Sequence, residues 1–162
     1  MEKITLLTEQ LAKVADRYPH LATLSFQTSQ RFAWDHSTRT IYYNPNVHDT
    51  DQYLLHEFSH ALLDHTHFTH DIDLIRMERD AWTEAVKLSQ ELKITIPSSL
   101  IEDALDTYRN WLHERSLCPS CNTTGIQTSN LAYRCLACGT TWHTNEARTC
   151  ALRRYKTKKH PE

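Results

Sequence analysis

The chain has 162 residues, of which 40% are hydrophobic and 23% charged, with a formal net charge of −2 at pH 7. That length allows one compact domain and a small appendage, and the composition is that of an ordinary globular chain, which excludes disorder over most of its length. No apolar run nears the roughly 18 residues of a membrane span, and Glu2, Lys3, Glu9 and Lys13 stand where a secretory leader needs an apolar block, so a cytoplasmic protein without membrane contact is expected.

The first element is an amphipathic helix over residues 4–18, in which Ile4, Leu7, Leu11, Val14, Ala15 and Tyr18 recur at helical spacing and Pro19 closes the run. Its role is core packing. Over residues 22–44 the pattern changes to alternation with β-branched and aromatic residues, which predicts two or three antiparallel strands, with 35–38 as a hairpin turn. The last strand, 39–43, ends at Asn44-Pro45-Asn46. A free edge there could take up an extended peptide as a further strand.

Residues 49–65 then read as a helix carrying His56-Glu57-Phe58-Ser59-His60, with Asp49 or Thr50 available as N-cap. Residues four apart lie one above the other on a helix, so His56 and His60 can close on one metal ion from a single face. Imidazole suits zinc, and two histidines leave the ion short of its usual four contacts. Glu57, about 100° around the helix from His56, is placed to take a proton from water activated by the metal. Leu54, Leu55, Phe58, Ala61 and Leu62 form an apolar stripe beside this polar one, giving the motif a half-buried helical setting.

The following loop holds His65, His67 and His70, but the extended zincin spacing with a third histidine is absent, because Leu63 and Thr66 occupy its glycine and histidine positions. The next helix, 71–93, offers another ligand. Glu78 interrupts a stripe of Leu74, Ile75, Ala81, Trp82, Ala85, Leu88 and Leu92, and a lone carboxylate on an apolar face needs a cation. A catalytic zinc held by His56, His60 and Glu78 meets that need; an arginine partner would also meet it, and Asp80 is the reserve ligand. Beyond Pro97, Ser99 and Glu102 suggest a capping box, and Ile101, Ala104, Leu105, Tyr108 and Leu112 predict a helix to about Arg115.

The rest of the chain differs in charge. Residues 1–116 carry 11 Lys+Arg and 18 Asp+Glu, whereas 117–162 carry 7 and 2; both glycines, Gly125 and Gly139, and all five cysteines also fall in the second part. Cys118-x-x-Cys121 and Cys135-x-x-Cys138 make a four-thiolate set of the kind that closes around structural zinc, with strand-like stretches between them. A module this short needs its metal to fold. Trp142 is expected to pack beside the second pair, and Cys150 to remain a free thiol. Arg148, Arg153, Arg154, Lys156, Lys158 and Lys159 give a basic tail able to track phosphates, though four thiolates on Zn²⁺ carry about −2 and offset part of that charge.

The expected organisation is therefore α+β: a small zincin-type domain over 1–116, built of helices and a short antiparallel sheet, then a four-cysteine zinc ribbon over 117–145 and the basic tail over 146–162. On residues 1–115, the TIYYNP strand end, the HEFSHALLDH helix and the Glu78-Arg79-Asp80-Ala81 segment resemble the ImmA/IrrE family of small gluzincin-type metallopeptidases. The resemblance implies His56, His60 and Glu78 as zinc ligands and Glu57 as general base. It also implies a protein substrate, often a repressor or other regulator. A second likeness is to SprT-type proteases, which join an HExxH domain to a zinc ribbon and act on DNA-bound proteins but take a third histidine downstream, a role open to His70. Two zinc ions are expected, one catalytic and one structural. Tyr42, Tyr43 and the loop histidines are all candidates for stabilising the oxyanion of peptide hydrolysis. The alternative from another class is a zinc-ribbon protein that binds nucleic acid or a regulator without turnover.

Overall fold

The computed structural model of the chain describes residues 2–157, so Lys158 and Lys159 of the expected tail lie outside the described residues. The fold is α+β. Helices α1 (Glu2–Ala15), α2 (Thr50–Leu62), α3 (Asp71–Leu92) and α4 (Ser98–Ser116) accompany a sheet of β1 (Ser25–Thr28), β2 (Ala33–Asp35) and β3 (Thr40–Tyr43). A second sheet holds β4 (Ile126–Ser129), β5 (Ala132–Arg134), β6 (Thr141–Thr144) and β7 (Arg154–Lys156). The chain divides into two compact units: one runs to His67 and includes Met77–Ile101, and the other takes Phe68–Arg76 with the residues from Glu102 onward. That division and the change of composition at residue 117 fall at different places. Among the described residues no helix is long and apolar enough to cross a membrane.

In the first unit, α2 packs against α1, β2 and β3. Leu7 and Leu11 of α1, Ile41 of β3, and Leu54, Leu55 and Phe58 of α2 are buried together as its core, and Phe26 stacks on Phe58 with ring centroids 6.5 Å apart. The sheet order is β1-β3-β2. Only the β2–β3 pair is antiparallel; β1 runs parallel to β3, with Ser25 opposite Thr40 and Thr28 opposite Tyr43. This corrects the antiparallel reading of residues 22–44. Thr40 and Ile41 make β3 the most buried strand, and it takes the centre between two more exposed partners, a position that here leaves one neighbour parallel. The hairpin turn is where it was expected: Asp35 Oδ1 accepts hydrogen bonds from Ser37 N (2.9 Å), Ser37 Oγ (2.6 Å) and Thr38 N (3.3 Å).

Two helix starts differ from expectation. Asp49 occupies the N-cap position of α2 but makes no side-chain capping bond; instead the Thr50 hydroxyl lies 2.8 Å from the Asn44 carbonyl and 2.6 Å from that of Val47, anchoring the incoming loop. Helix α4 begins at Ser98, so Ser99 lies inside its first turn and the capping box with Glu102 does not form. Likewise α1 stops at Ala15, and Pro19, rather than only ending it, opens a single 3-10 turn, Pro19–Leu21.

In the second unit β4, β5, β6 and β7 form an antiparallel meander. Its last strand comes from the stretch read as a tail. Tyr133 and Trp142 stack at 5.5 Å and are buried with Cys118 and Cys135. Gly125 is required here: a Cβ would collide with the Trp142 ring and stand 2.7 Å from the Arg134 carbonyl. The unit is held by a buried network. Arg115 Nε donates to Asp71 Oδ2 at 2.7 Å, Nη1 reaches the carbonyls of Asn145 and Glu146, and the Tyr133 hydroxyl donates to the same Asp71 oxygen.

Candidate metal centres

Two groups of side chains converge as metal ligands do: His56, His60 and Glu78 in the first unit, and Cys118, Cys121, Cys135 and Cys138 in the second. The first group follows from two helical periodicities. His56 and His60 are one turn apart on the buried side of α2, and Glu78 lies on the apolar stripe of α3, where only 5% of its surface is exposed. Nε2 of His56 is 3.0 Å from Oε2 of Glu78, Nε2 of His60 is 3.5 Å from the same oxygen, and the two Nε2 atoms are 3.1 Å apart.

Hydrogen bonding alone does not account for this triangle. If His56 donates its Nε2 proton to Glu78, that nitrogen keeps no lone pair for His60 to approach. One cation drawing on three lone pairs accounts for every separation, so the group could hold a metal ion. With no ion bound the same groups still favour a charged Glu78: burial pushes its carboxyl upward, but His56 and then His60, acting as hydrogen-bond donors, outweigh it and hold the group well below the usual carboxylate range.

The surroundings of the triangle are aromatic. Trp82 stacks on His56 at 4.2 Å and meets Tyr53 edge-on at 6.0 Å, while Phe32 lies 5.2 Å beyond Tyr53. Both Trp82 Nε1 and His56 Nδ1 are buried without a partner among the described residues. Glu57 is half-buried and makes no side-chain hydrogen bond or ion pair among the described residues.

The other candidates are elsewhere. Asp80 is exposed and engaged by Arg79 at 2.7 Å. His67 is exposed, and His70 bonds Thr69 at 3.1 Å and faces Asp73 at 3.8 Å. His65 is not part of the triangle; its Nδ1 lies 2.8 Å from Nδ1 of His60. Burial, then the neighbouring His60, pushes its imidazole pKa down to about 4.

The thiol group has Sγ separations of 3.6 Å for Cys118–Cys138, 3.6 Å for Cys121–Cys135 and 3.5 Å for Cys121–Cys138, far beyond a disulfide bond. Cys118 and Cys135 are buried, Cys121 and Cys138 exposed. Gly139, at φ 73°, turns the second pair back toward β6. Hydrogen bonding with the hydroxyl and then the backbone of Thr140 brings the Cys138 thiol down to about 6. Although the Cys138 backbone favours a thiolate at Cys135, burial and the adjoining thiols Cys121 and Cys138 carry it up to about 11. Cys150 is exposed, outside the group, and bonded to Asn145 Nδ2 at 3.3 Å.

Sequence reasoning missed the contact of His65 with His60 and the buried Arg115. The second was detectable: Arg115 continues the stripe Leu105, Tyr108, Leu112 at helical spacing and so falls on a face that turns inward. No protein-family model, curated protein or solved structure matches the chain.

Proposed function

We propose that the protein is a zinc metallopeptidase with a catalytic zinc at His56, His60 and Glu78 and a structural zinc at the four cysteines. The observation that carries this reading is the convergence of two Nε2 atoms and one carboxylate oxygen beside an uncommitted Glu57. Zinc bonds of about 2.0–2.1 Å to nitrogen and oxygen in a tetrahedron put neighbouring donors about 3.3 Å apart, and bonds of about 2.3 Å to sulfur put them about 3.8 Å apart. The separations of 3.0–3.5 Å and 3.5–3.6 Å lie close to these.

A zinc ion at the triangle would supply Lewis-acid polarisation and bring the pKa of water toward about 7. The remaining work falls to the chain. Glu57 takes the proton of the attacking water on a carboxylate oxygen and returns it to the amide nitrogen as the C–N bond breaks. Trp82, packed on His56, helps keep bulk water from the ligands. The last strand, β3, has no free edge, because β1 and β2 flank it, so the expected strand-addition site does not lie there. The outer strand β2, against which α2 also packs, is the edge that would take up a peptide substrate. The likeness to ImmA/IrrE peptidases supports a regulatory protein as that substrate.

The test is a proteome-derived peptide library incubated with the zinc-loaded chain, with new N-termini read by mass spectrometry. Glu57→Gln should keep both metals and lose about 10²–10⁴-fold in cleavage rate. Equal cleavage by the two proteins would overturn the assignment.

One observation favours nucleic-acid binding by the second unit as an additional role. Strand register places Ile126, Arg134, His143 and Tyr155 on one exposed sheet face, a combination of stacking and cationic groups suited to a single strand. Salt-dependent binding of a single-stranded oligonucleotide, lost on Tyr155→Ala with Arg134→Ala, would establish it. Binding unchanged by both substitutions would exclude this face.

A further inference from the structure

Helix α2 ends shortly after His60, and its end is shaped so that the next residues fold back on that histidine. Leu63 N donates to Ser59 O at 3.0 Å, Asp64 takes a left-handed conformation at φ 51°, and His65 N donates to His60 O at 3.0 Å. A left-handed aspartate is uncommon and needs support. It has two partners: Arg39 Nη1 and His36 Nε2 each lie 3.2 Å from Asp64 Oδ1. On the far side Trp34 Nε1 donates to the His65 carbonyl at 3.0 Å. With its backbone held from both directions, the half-buried His65 ring comes to 2.8 Å from the His60 ring, Nδ1 to Nδ1.

We propose that His65 is a positioning residue that fixes the tautomer and ring orientation of His60 by accepting its Nδ1 proton. This rests on the reading of His56, His60 and Glu78 as a metal site. His60 turns Nε2 toward Glu78 and His56; for that nitrogen to offer a lone pair, the ring proton must sit on Nδ1, where it needs an acceptor. Nδ1 of His65 is that acceptor, which fixes His65 as the neutral tautomer protonated on Nε2. Metal-bound histidines generally give their second ring proton to such a partner, and loss of the partner typically costs about 10–100-fold in metal affinity. His56 has no counterpart, since its Nδ1 is unpartnered among the described residues. The two histidines are thus unequal, and His60 is the oriented one.

The experiment is zinc competition with a chromophoric chelator on the full chain, comparing wild type with His65→Ala, His65→Leu, His65→Asn and His56→Ala. Cobalt(II) absorption serves as a second readout of ligand geometry. In asparagine, Oδ1 occupies the place on Cγ that Nδ1 has in histidine, so His65→Asn keeps an acceptor where one is needed, whereas leucine keeps only bulk. We expect His65→Ala and His65→Leu to weaken zinc at the histidine site about 10–100-fold and shift the cobalt spectrum. His65→Asn should stay within a few-fold of wild type, and the cysteine-bound zinc should survive in all as a folding control. Wild-type affinity in His65→Ala, or an equal loss in His65→Asn and His65→Leu, would overturn the positioning role. If His56→Ala loses no zinc, the metal-site reading falls and takes this proposal with it.

Discussion

The carboxylate of Glu78 lies 3.0 Å from Nε2 of His56, although the two residues are 22 apart in sequence and on different helices. Two residues further on, Asp80 points to solvent and is held by Arg79. Glu78→Gln should therefore bind one metal ion fewer per chain than wild type, while Asp80→Asn should match wild type. Metal analysis of the purified proteins decides this, and an unchanged content in Glu78→Gln would remove Glu78 from the ligand set.

Immediately after the metal is withdrawn, before the second unit can lose its fold, the four thiols should not react alike. Cys138 is exposed and brought down to about 6, so it is largely thiolate at pH 7, while Cys135 is buried and carried up to about 11. Brief iodoacetamide treatment at pH 7 followed by peptide mapping should find Cys138 alkylated well before Cys135. Zinc added beforehand should protect both. Equal labelling of the two while the circular dichroism of the second unit is still that of the folded protein would contradict the assigned environments.

Arg115 and Asp71 are 1% and 3% exposed and bonded through two nitrogens. Removing one member of such a pair leaves the other charge buried, at a cost of about 3–5 kcal/mol. Arg115→Met should destabilise the second unit by that order in urea unfolding with zinc present. Adding Asp71→Asn should recover part of the loss, as no buried charge then remains. A change under about 1 kcal/mol in the single variant would show the pair to be dispensable.

Asp35 gives a pH dependence with a definite sign. Its three hydrogen bonds, chiefly from the Ser37 hydroxyl, lower its pKa below the ordinary 3.8. A group depressed in the folded state adds stability that is present above its unfolded value and lost as pH falls through the folded one. Asp35→Asn cannot titrate, so its urea midpoint should trail wild type at pH 6 and converge with it as pH drops below about 4. Parallel midpoints over that range would mean the hairpin turn is indifferent to this charge.

The parts legible in the sequence were those governed by local periodicity or by ligand chemistry. His56 and His60 are one helical turn apart, Glu78 stood out as a charge on an apolar stripe, and the paired CxxC spacing selected its own four residues. Sheet topology was not legible, because alternation in Ser25–Thr28 says which face is polar but not which strand lies next to it. The burial of Thr40 and Ile41 puts their strand at the centre of the sheet, and the first strand then runs parallel to it. The His65–His60 contact was hidden for a different reason: it depends on a left-handed Asp64, a conformation the residue type permits but does not announce. Strand β7 was masked by its basic composition, since Arg154 and Lys156 read as solvated tail while their backbone pairs with β6.

The chain has four tryptophans; two of them adjoin the proposed ligands and a third bonds the residue that contacts His60. Trp82 stacks on His56, Trp34 holds the His65 carbonyl, and Trp142 is packed with Cys118 and Cys135. The molecule thus carries its own optical probes. If metal enters at the histidines, it should change the electronic environment of the indole stacked 4.2 Å from the His56 ring, and metal entering at the cysteines should order the core around another. Intrinsic fluorescence during a zinc titration should then separate the filling of the two proposed centres in an unlabelled protein, with Trp82→Phe and Trp142→Phe telling the two signals apart.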